Sequence, residues 1–283
     1  MKRKYISIVF ILLTCLLILT GCEQNQGTNV INSATTIPQA QNNNKKNNIP
    51  DKKQSKPVNF VENFDYKTAA EKQMSLPKDG EMVAIIKVKG FGEMKVKFFE
   101  DVAPNAVANF TTHAKNGYYD GLIFHRVINE FMIQGGDPTG TGFEGESIWG
   151  EGFGTELSQS AAPYRGSLCM AMSSQPNSIG SQFFITQANY SKDMEDMMKK
   201  GGYPEGLLEQ YRKYGGYFSL YLQYTVFGQV FEGLDVLDKI AAVKTESVPV
   251  VIDGVSYGAG TQDDKPVEDV IIEEIEITTY KAN

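Results

Sequence analysis

Cysteine and histidine are scarce in this chain of 283 residues, which has three cysteines and two histidines. Cys15 and Cys22 lie in the first 22 residues, so Cys169 stands alone in the remainder and no intramolecular disulfide is expected in the folded part. His113 and His125, together with Cys169, make a zinc site of the usual ligand types improbable. Acidic residues could still bind a hard cation such as calcium, but no EF-hand loop spacing is present, so we expect no metal site. We also expect no cofactor.

Positive charge and long apolar runs are also lacking. The formal net charge is −7, which argues against sequence-independent binding of nucleic acid, because that mode needs clustered cations. The apolar run at 6–19 is shorter than the roughly 20 residues that span a bilayer as a permanent helix. Hydrophobic residues at 41% and aromatic residues at 11% are nevertheless typical of a globular protein with a substantial core.

The first 22 residues have the order of a secretory signal. A basic start, Lys2-Arg3-Lys4, precedes the apolar run, and small residues follow it. The run ends in Leu-Thr-Gly-Cys at 19–22, which resembles the signal of bacterial lipoproteins. This resemblance implies removal of residues 1–21, a fatty-acyl anchor such as palmitate on Cys22, and a location on the outer face of the bacterial cell membrane. The alternative is an ordinary signal with an incidental cysteine.

Residues 22–78 are predicted to be a tether. Between residues 23 and 50, 8 Asn and 4 Gln mix with Thr, Ser and Lys, with almost no apolar periodicity. Such a segment cannot bury enough apolar surface to offset the entropy of ordering it. Phe60, Val61, Phe64 and Tyr66 could still pack a short segment on the domain, which we expect to span 79–281.

From about residue 80 the pattern indicates many short strands and few helices. Helical spacing with a Pro at the start predicts a helix from Pro104 to about 116, and a second helix fits 234–242. Strands are predicted at 83–88, 94–98, 122–128, 131–134, 167–172, 183–186, 225–230 and 270–277. This content favours an antiparallel barrel or sandwich.

Two familiar catalytic motifs do not fit the chain. Gly140-Thr-Gly-Phe-Glu-Gly145 has the spacing of a dinucleotide-binding loop, but the glycines that follow at 150, 152 and 154 prevent the helix that such a site requires. We interpret 140–145 as a loop. No G-x-S-x-G motif of a serine hydrolase is present.

The segment FHRVINEFMIQGGD at 124–137 predicts two strands around a tight Asn-Glu turn. In the first strand, the alternation of side chains places Phe124, Arg126 and Ile128 on one face. In the second strand, it places Phe131 and Ile133 on one face and Met132 and Gln134 on the other, unless a bulge intervenes. An Arg on an apolar strand needs partners or a cleft. From spacing alone, Arg126 is either a surface residue stacked across the hairpin or part of a site.

This segment resembles the signature of the cyclophilins, the peptidyl-prolyl isomerases. The resemblance continues, in the family's order, through GSLCMA at 166–171, PNSIGSQFFI at 176–185 and YTVFGQVF at 224–231, and it covers essentially all of the folded part. It implies a mainly β fold, a closed eight-stranded antiparallel barrel capped by two helices, with the active face on the outside of the barrel. It also implies that this chain is an isomerase.

The resemblance implies the site position by position. Arg126 matches the catalytic arginine of the family. The residues that match the substrate-binding positions are Phe131, Met132, Phe184 and Leu220 for the apolar proline pocket, Gln134 and Gln182 for the substrate backbone, Ala171 and Met172 for the strand edge, and Tyr224 for one wall. Rotation about an X-Pro bond has a barrier of roughly 18–20 kcal/mol and requires no nucleophile or metal, only a site that prefers the twisted amide.

The chain departs from the family pattern at two points. Tyr224 stands where many relatives have His, and Ser219 stands where many have the Trp that binds cyclosporin, so we expect weak cyclosporin sensitivity. The stretch 187–220 is longer than in the shortest relatives. Leu207, Leu208 and Tyr211 have helical spacing there, which predicts a helical insertion that either packs on the domain or grips substrate through methionines.

Two functions remain open at this stage. The chain is either a membrane-anchored isomerase that acts on proline-containing polypeptides after export, or a non-catalytic proline-peptide-binding module or surface adhesin on the same fold. We expect no nucleic-acid partner and a monomer. Cys169 is interpreted as a core residue on a strand.

Overall fold

The structure is a computed structural model that describes residues 49–53, 61–252 and 255–282, the side chains of 250–263 excepted. The described elements, in chain order, are α1 (Tyr66–Met74), β1 (Met82–Val88), β2 (Gly92–Phe98), α2 (Pro104–Lys115), β3 (Phe124–Ile128), β4 (Met132–Gly135), β5 (Ser167–Met170), β6 (Phe183–Thr186), α3 (Lys192–Lys200), α4 (Glu205–Tyr214), a 3₁₀ helix (Phe218–Leu220), β7 (Val226–Glu232), α5 (Leu234–Ala241), β8 (Thr245–Ile252), β9 (Val255–Pro266) and β10 (Ile272–Thr279).

Eight strands form one antiparallel sheet in the order β10-β1-β2-β7-β5-β6-β4-β3, and β8 and β9 form a separate hairpin. At the edges formed by β3 and β10, the described residues make one bridge, Ile123 to Ile271. Three backbone hydrogen bonds accompany it, from the Phe124 amide to the Val270 carbonyl, from the Ile272 amide to the Leu122 carbonyl and from the Gly121 amide to the Ile272 carbonyl. The mainly β architecture is confirmed, but the predicted closed barrel is wrong, because the two edges form no continuous ladder. Beyond the bridge, β3 runs beside β9 instead.

The main core lies between this sheet and the two predicted helices, α2 and α5. Phe110 of α2 is fully buried, and its ring contacts Phe98, Phe183 and Phe227 of three different strands. The prediction of two helices against the strands is thus confirmed for α2 and α5. Three further α-helices occur in the described part of the chain.

The first of these, α1, lies inside the range predicted as tether. Its Gln73 is 3% exposed, and the side-chain amide donates to the Ala162 carbonyl at 2.7 Å and accepts from the Ala162 amide at 3.0 Å. The same Nε2 atom lies 3.1 Å from both Ser167 Oγ and Gln229 Oε1. The prediction of a tether as far as residue 78 is therefore wrong for α1. The apolar pattern of α1 is weak, and the helix is held by a buried polar contact that the pattern does not indicate.

Helices α3 and α4 lie within the stretch 187–220 that was predicted to be a helical insertion. Leu207, Leu208 and Tyr211 of α4 are buried in a second apolar cluster together with Ala70 of α1. Two of the three methionines of α3, Met194 and Met198, are buried there as well, which favours the packed insertion over the gripping surface. Only Met197 of these three is exposed.

Gly216 follows α4 at a position where no other residue fits. Its φ is +109°, and a Cβ atom there would lie 2.2 Å from the Pro163 carbonyl oxygen. Glycine is therefore required both by backbone conformation and by space.

Within the described part of the chain, no helix has the length and apolar character needed to cross a membrane. The predicted signal at 1–21 and the predicted lipidation site Cys22 lie outside the described residues.

Candidate active site

Three polar and aromatic side chains predicted for the site lie in one row across the sheet. Arg126 of β3 pairs with Gln134 of β4, and Gln134 pairs with Phe184 of β6. Side chains alternate along a strand, so the neighbours one position away face the opposite side. Those neighbours are buried in the main core: Val127, Ile133 and Ile185.

The face predicted for Phe124 is wrong. Phe124 is fully buried in the main core, whereas Ile128 packs on the opposite side of the sheet with Met132. The cause is a register shift between Phe124 and Arg126, which breaks the alternation inside β3. Phe131 precedes the first residue of β4 and packs on the same side as Met132, contrary to strict alternation.

The row borders an apolar cluster on the side of the sheet away from the main core. We call it the exterior apolar cluster and define it by Phe131, Met132, Phe184, Leu220 and Tyr224. Met132, Phe184 and Leu220 are buried, whereas Phe131 and Tyr224 are half-buried and pack against them. The Tyr224 ring meets Phe184 edge-on, with centroids 5.5 Å apart. All five residues predicted for the proline pocket and its wall are therefore brought together.

Cys169 is buried beneath the exterior apolar cluster and packs with its buried members. It lies on β5 opposite Phe184 and is fully buried, which confirms its interpretation as a core residue. Burial raises the pKa of its thiol well above the ordinary value, so the reactive thiolate is disfavoured.

Tyr217 is a member of the site that the sequence did not predict. Its ring lies 4.3 Å from the Phe131 ring, centroid to centroid, and it is half-buried against the exterior apolar cluster. Ser219, the position aligned with the family's Trp, is half-buried in the following 3₁₀ helix. The sequence feature that could have indicated this role is the presence of an aromatic residue, Tyr217, two positions before Ser219.

The two glutamines of the site are joined to each other. Gln134 Nε2 donates to Gln182 Oε1 at 2.9 Å, and Gln182 Nε2 donates to the Glu144 carbonyl at 2.8 Å. Glu144 belongs to the glycine-rich stretch at 140–145, which is a loop as predicted. The buried carboxylate of Asp137 accepts from the Gly142 and Glu144 amides and so holds this loop. Through the loop, the polar side of the site is fixed in place.

The predicted strand-edge residues differ in what they contact. Ala171 follows β5, donates its amide to the Gln182 carbonyl at 3.0 Å, and packs on the exterior apolar cluster. Met172 packs instead against the main core. The structure therefore groups Ala171, but not the side chain of Met172, with the other predicted site residues.

Arg126 has a charged neighbour that the sequence did not predict. Its Nε atom lies 3.9 Å from Oδ2 of Asp264 on β9, and the two side chains are 40% and 36% exposed. The hairpin of β8 and β9 that carries Asp264 was absent from the predicted elements, because its alternation is weak and it lies between two better-marked segments.

Both histidines are buried, and burial lowers their pKa values. The pKa of His113 and that of His125 fall from 6.5 to about 4. Because the unfolded chain binds these protons more readily, stability is complete above about pH 6.5 and decreases as the pH falls towards 4. We expect each histidine to account for about 2 kcal/mol of lost stability at about pH 5.

Urea unfolding at several pH values measures this effect. His113 Nε2 donates one hydrogen bond to the Glu146 carbonyl oxygen at 3.0 Å, so His113→Gln preserves a donor there while removing the titration. The variant should lose less stability than the wild type between pH 7 and about pH 5. Parallel pH profiles for the two proteins would contradict the expectation.

Comparison with known proteins agrees with this geometry. The model of the family "Cyclophilin type peptidyl-prolyl cis-trans isomerase/CLD" matches residues 83–277. A provisionally named peptidyl-prolyl cis-trans isomerase of Staphylococcus saprophyticus is 45% identical over 206 residues, covering 72% of this chain and 96% of that protein. A protein of the same name from Staphylococcus haemolyticus is 48% identical over 187 residues, 66% of this chain and 86% of that protein.

Solved structures are similar as well. A cyclophilin-type peptidyl-prolyl cis-trans isomerase of Cryptosporidium parvum, crystallised in the presence of the dipeptide Ala-Pro, has a TM-score of 0.52 and 30% identity, covering 70% of this chain and 99% of that chain. A second structure of the same protein gives a TM-score of 0.53. The fold and the site thus define a cyclophilin-like β protein. The chain belongs to the cyclophilin-type peptidyl-prolyl cis-trans isomerase family.

Proposed function

We propose that this cyclophilin isomerises X-Pro bonds of exported polypeptides at the row formed by Arg126, Gln134 and Phe184, while a lipid on Cys22 anchors it to the outer face of the cell membrane. The observation that carries the proposal is the placement of a half-exposed guanidinium beside the exterior apolar cluster. A proline ring requires the apolar surface, and the twisted amide requires the cation.

The reaction requires only that the site stabilise the twisted amide more than either planar isomer. In the twisted state the prolyl nitrogen becomes pyramidal and carries a lone pair. A guanidinium is a cation with several N–H donors, and Arg126 donates one of them to that nitrogen. An acceleration of about a hundred-thousandfold corresponds to roughly 7 kcal/mol of preference for the twisted state.

The rest of the site holds the substrate on either side of the rotating bond. The exterior apolar cluster holds the proline ring by burying its methylene groups. Gln134 and Gln182 are fixed by their mutual hydrogen bond and contact the substrate backbone, and Ala171 supplies an edge for the extended peptide. The related C. parvum protein was crystallised in the presence of Ala-Pro, which supports a proline-containing peptide as substrate.

Exchange spectroscopy on a short X-Pro peptide tests the activity. The purified protein without its signal should accelerate cis/trans exchange at substoichiometric concentration. Binding of the peptide without faster exchange would contradict the isomerase and favour the non-catalytic binding module. Refolding of a protein limited by proline isomerisation provides an independent measure, because that step is slow enough to observe directly.

Anchoring is tested separately, on the full chain expressed in a Gram-positive host. Labelling with a palmitate analogue should mark the wild type and not Cys22→Ser, and the labelled protein should sediment with membranes. Release of an unlabelled, processed wild-type protein into the medium would favour an ordinary secretory signal.

Tyr217 gives a prediction about substrate binding. We expect Tyr217→Ala to raise KM for a proline peptide by up to about tenfold with little change in kcat, because the contact with Phe131 shapes the apolar surface rather than the twisted amide. Tyr217→Phe, which retains the ring, is the control and should behave as the wild type. An unchanged KM in Tyr217→Ala would exclude Tyr217 from the binding surface.

A further inference from the structure

The hairpin formed by β8 and β9 brings an acidic residue to the candidate catalytic arginine. It lies in the chain between α5 and β10, forms no part of the eight-stranded sheet, and its β9 strand runs beside β3. Asp264, near the end of β9, thereby comes within 3.9 Å of Arg126.

The ion pair involves Nε of Arg126 and not one of its terminal nitrogens. Asp264 Oδ2 faces Nε of Arg126, the nitrogen nearest the side-chain stem. A guanidinium carries five N–H donors, of which Nε supplies one and the two terminal nitrogens supply four. At 3.9 Å the two groups form an ion pair without a hydrogen bond, so the carboxylate attracts the guanidinium on its Nε side, and no ion pair of the described residues lies at the terminal nitrogens. Among the ion pairs of the described residues, Asp264 is the only acidic partner of Arg126.

Asp264 has an unusual backbone conformation at the register shift of the β8–β9 hairpin, between Gln262 and Lys265. Its φ is +66°, in the left-handed region that residues other than glycine seldom adopt. Such conformations cost energy and persist where the surrounding structure requires them, often at functional sites. Aspartate is among the few residues that tolerate this region, and here its conformation accompanies contact with Arg126.

We infer that Asp264 is a positioning residue, which holds the Arg126 guanidinium with its terminal nitrogens available to the twisted amide. The inference rests on the proposed function, because it assigns Asp264 a task only if Arg126 acts on the substrate. Asp264 touches no reacting atom itself. Its contribution is to reduce the number of orientations that a long, half-exposed side chain samples before the reaction.

Two substitutions remove the carboxylate without disturbing the backbone, since Asn and Gly both tolerate positive φ. We expect Asp264→Asn and Asp264→Gly each to lower kcat by about three- to fivefold, in keeping with a half-exposed ion pair, with KM changed less than twofold. Asp269→Asn is the matched control, because Asp269 is exposed, forms no ion pair among the described residues, and undergoes the same acid-to-amide change. Circular dichroism and thermal melting verify that each variant is folded.

A double-mutant cycle separates positioning from a general structural effect. In the background of Arg126→Lys, which lacks the Nε group and the planar fork, Asp264→Asn should cause no further loss of kcat. An equal loss in both backgrounds, an unchanged kcat in the single variant, or a higher kcat in it would overturn the inference. If Arg126→Lys and Arg126→Ala themselves exchange the peptide at the wild-type rate, the proposed role of Arg126 fails. If Arg126→Lys and Arg126→Ala lose activity but Asp264→Asn has the kinetics of the wild type, only the positioning role of Asp264 fails.

Discussion

Arg126→Ala should lower kcat/KM for X-Pro isomerisation by about a hundredfold to a thousandfold, the effect of removing one preorganised donor to developing charge. The reason is that Arg126 is the cationic member of the row and, in the proposed mechanism, donates to the prolyl nitrogen only when the amide is twisted. Peptide binding should change far less, because the exterior apolar cluster, which holds the ring, is untouched.

Exchange spectroscopy with saturating and limiting peptide separates the two parameters. Arg126→Lys is the informative companion, since it keeps the charge but loses the planar fork of donors, and we expect activity between wild type and Arg126→Ala. Arg126 is 40% exposed, so neither change should reduce the free energy of unfolding by more than about 1 kcal/mol. Equal exchange rates for the wild type and Arg126→Ala would end the proposed mechanism.

Gln73→Ala should lower the free energy of unfolding by about 3 kcal/mol, the largest stability change we expect from a single truncation outside the apolar core. Gln73 is almost fully buried, and its amide contacts Ala162, Ser167 and Gln229 at once. Truncation leaves the Ala162 amide and carbonyl without this partner and opens a small void, and both effects are costly in a buried position.

Urea unfolding measures the loss, and Gln223→Ala is the matched control. Gln223 is exposed, so its truncation should change the free energy of unfolding by less than about 0.5 kcal/mol. Limited proteolysis adds a local measurement. Because α1 is held by Gln73, cleavage within 66–74 should become faster in Gln73→Ala than in Gln223→Ala. Stability equal to that of the wild type would show that the contacts of Gln73 contribute nothing to the stability of the folded domain.

The position of α1 explains how the insertion is held. Ala70 of α1 and Leu207 of α4 share the second apolar cluster, and Tyr66 at the start of α1 packs against it. The insertion thus has its own partner helix, supplied by a segment almost 140 residues earlier in the chain. Loosening α1 should therefore also loosen the segment that leads from α4 through the 3₁₀ helix to Leu220.

Local patterns were sufficient for much of the architecture. Pro104 and the helical spacing after it predicted α2, and alternating apolar residues predicted most strands of the sheet. Both follow from interactions within a few residues. The four sequence blocks contain the residues of the row and four of the five residues of the exterior apolar cluster, all but Leu220, although their roles in catalysis and binding stay predictions.

Features that depend on distant parts of the chain escaped prediction. Because of the register shift in β3, the side chain of Phe124 lies in the main core. The pairing of β3 with β4, and not the pattern of β3 itself, decides where the alternation of side chains is interrupted. Helix α1 has few apolar residues and is held by a buried amide, so its composition resembled a tether. In the open sheet, β9 lies beside the edge strand β3. A pattern of a few neighbouring residues in the sequence does not indicate this arrangement.

By itself, the sequence determined the family, most strands of the eight-stranded sheet, helices α2 and α5, and the residue types of the candidate isomerase site, since these depend on local periodicity and on ordered motifs. Only the tertiary structure decided that Tyr217 lies on Phe131, that Asp264 faces Arg126 and that Gln73 secures α1. The physical reason is that such contacts join side chains tens to hundreds of residues apart, and their free energy exists only once the chain has brought them within a few ångströms.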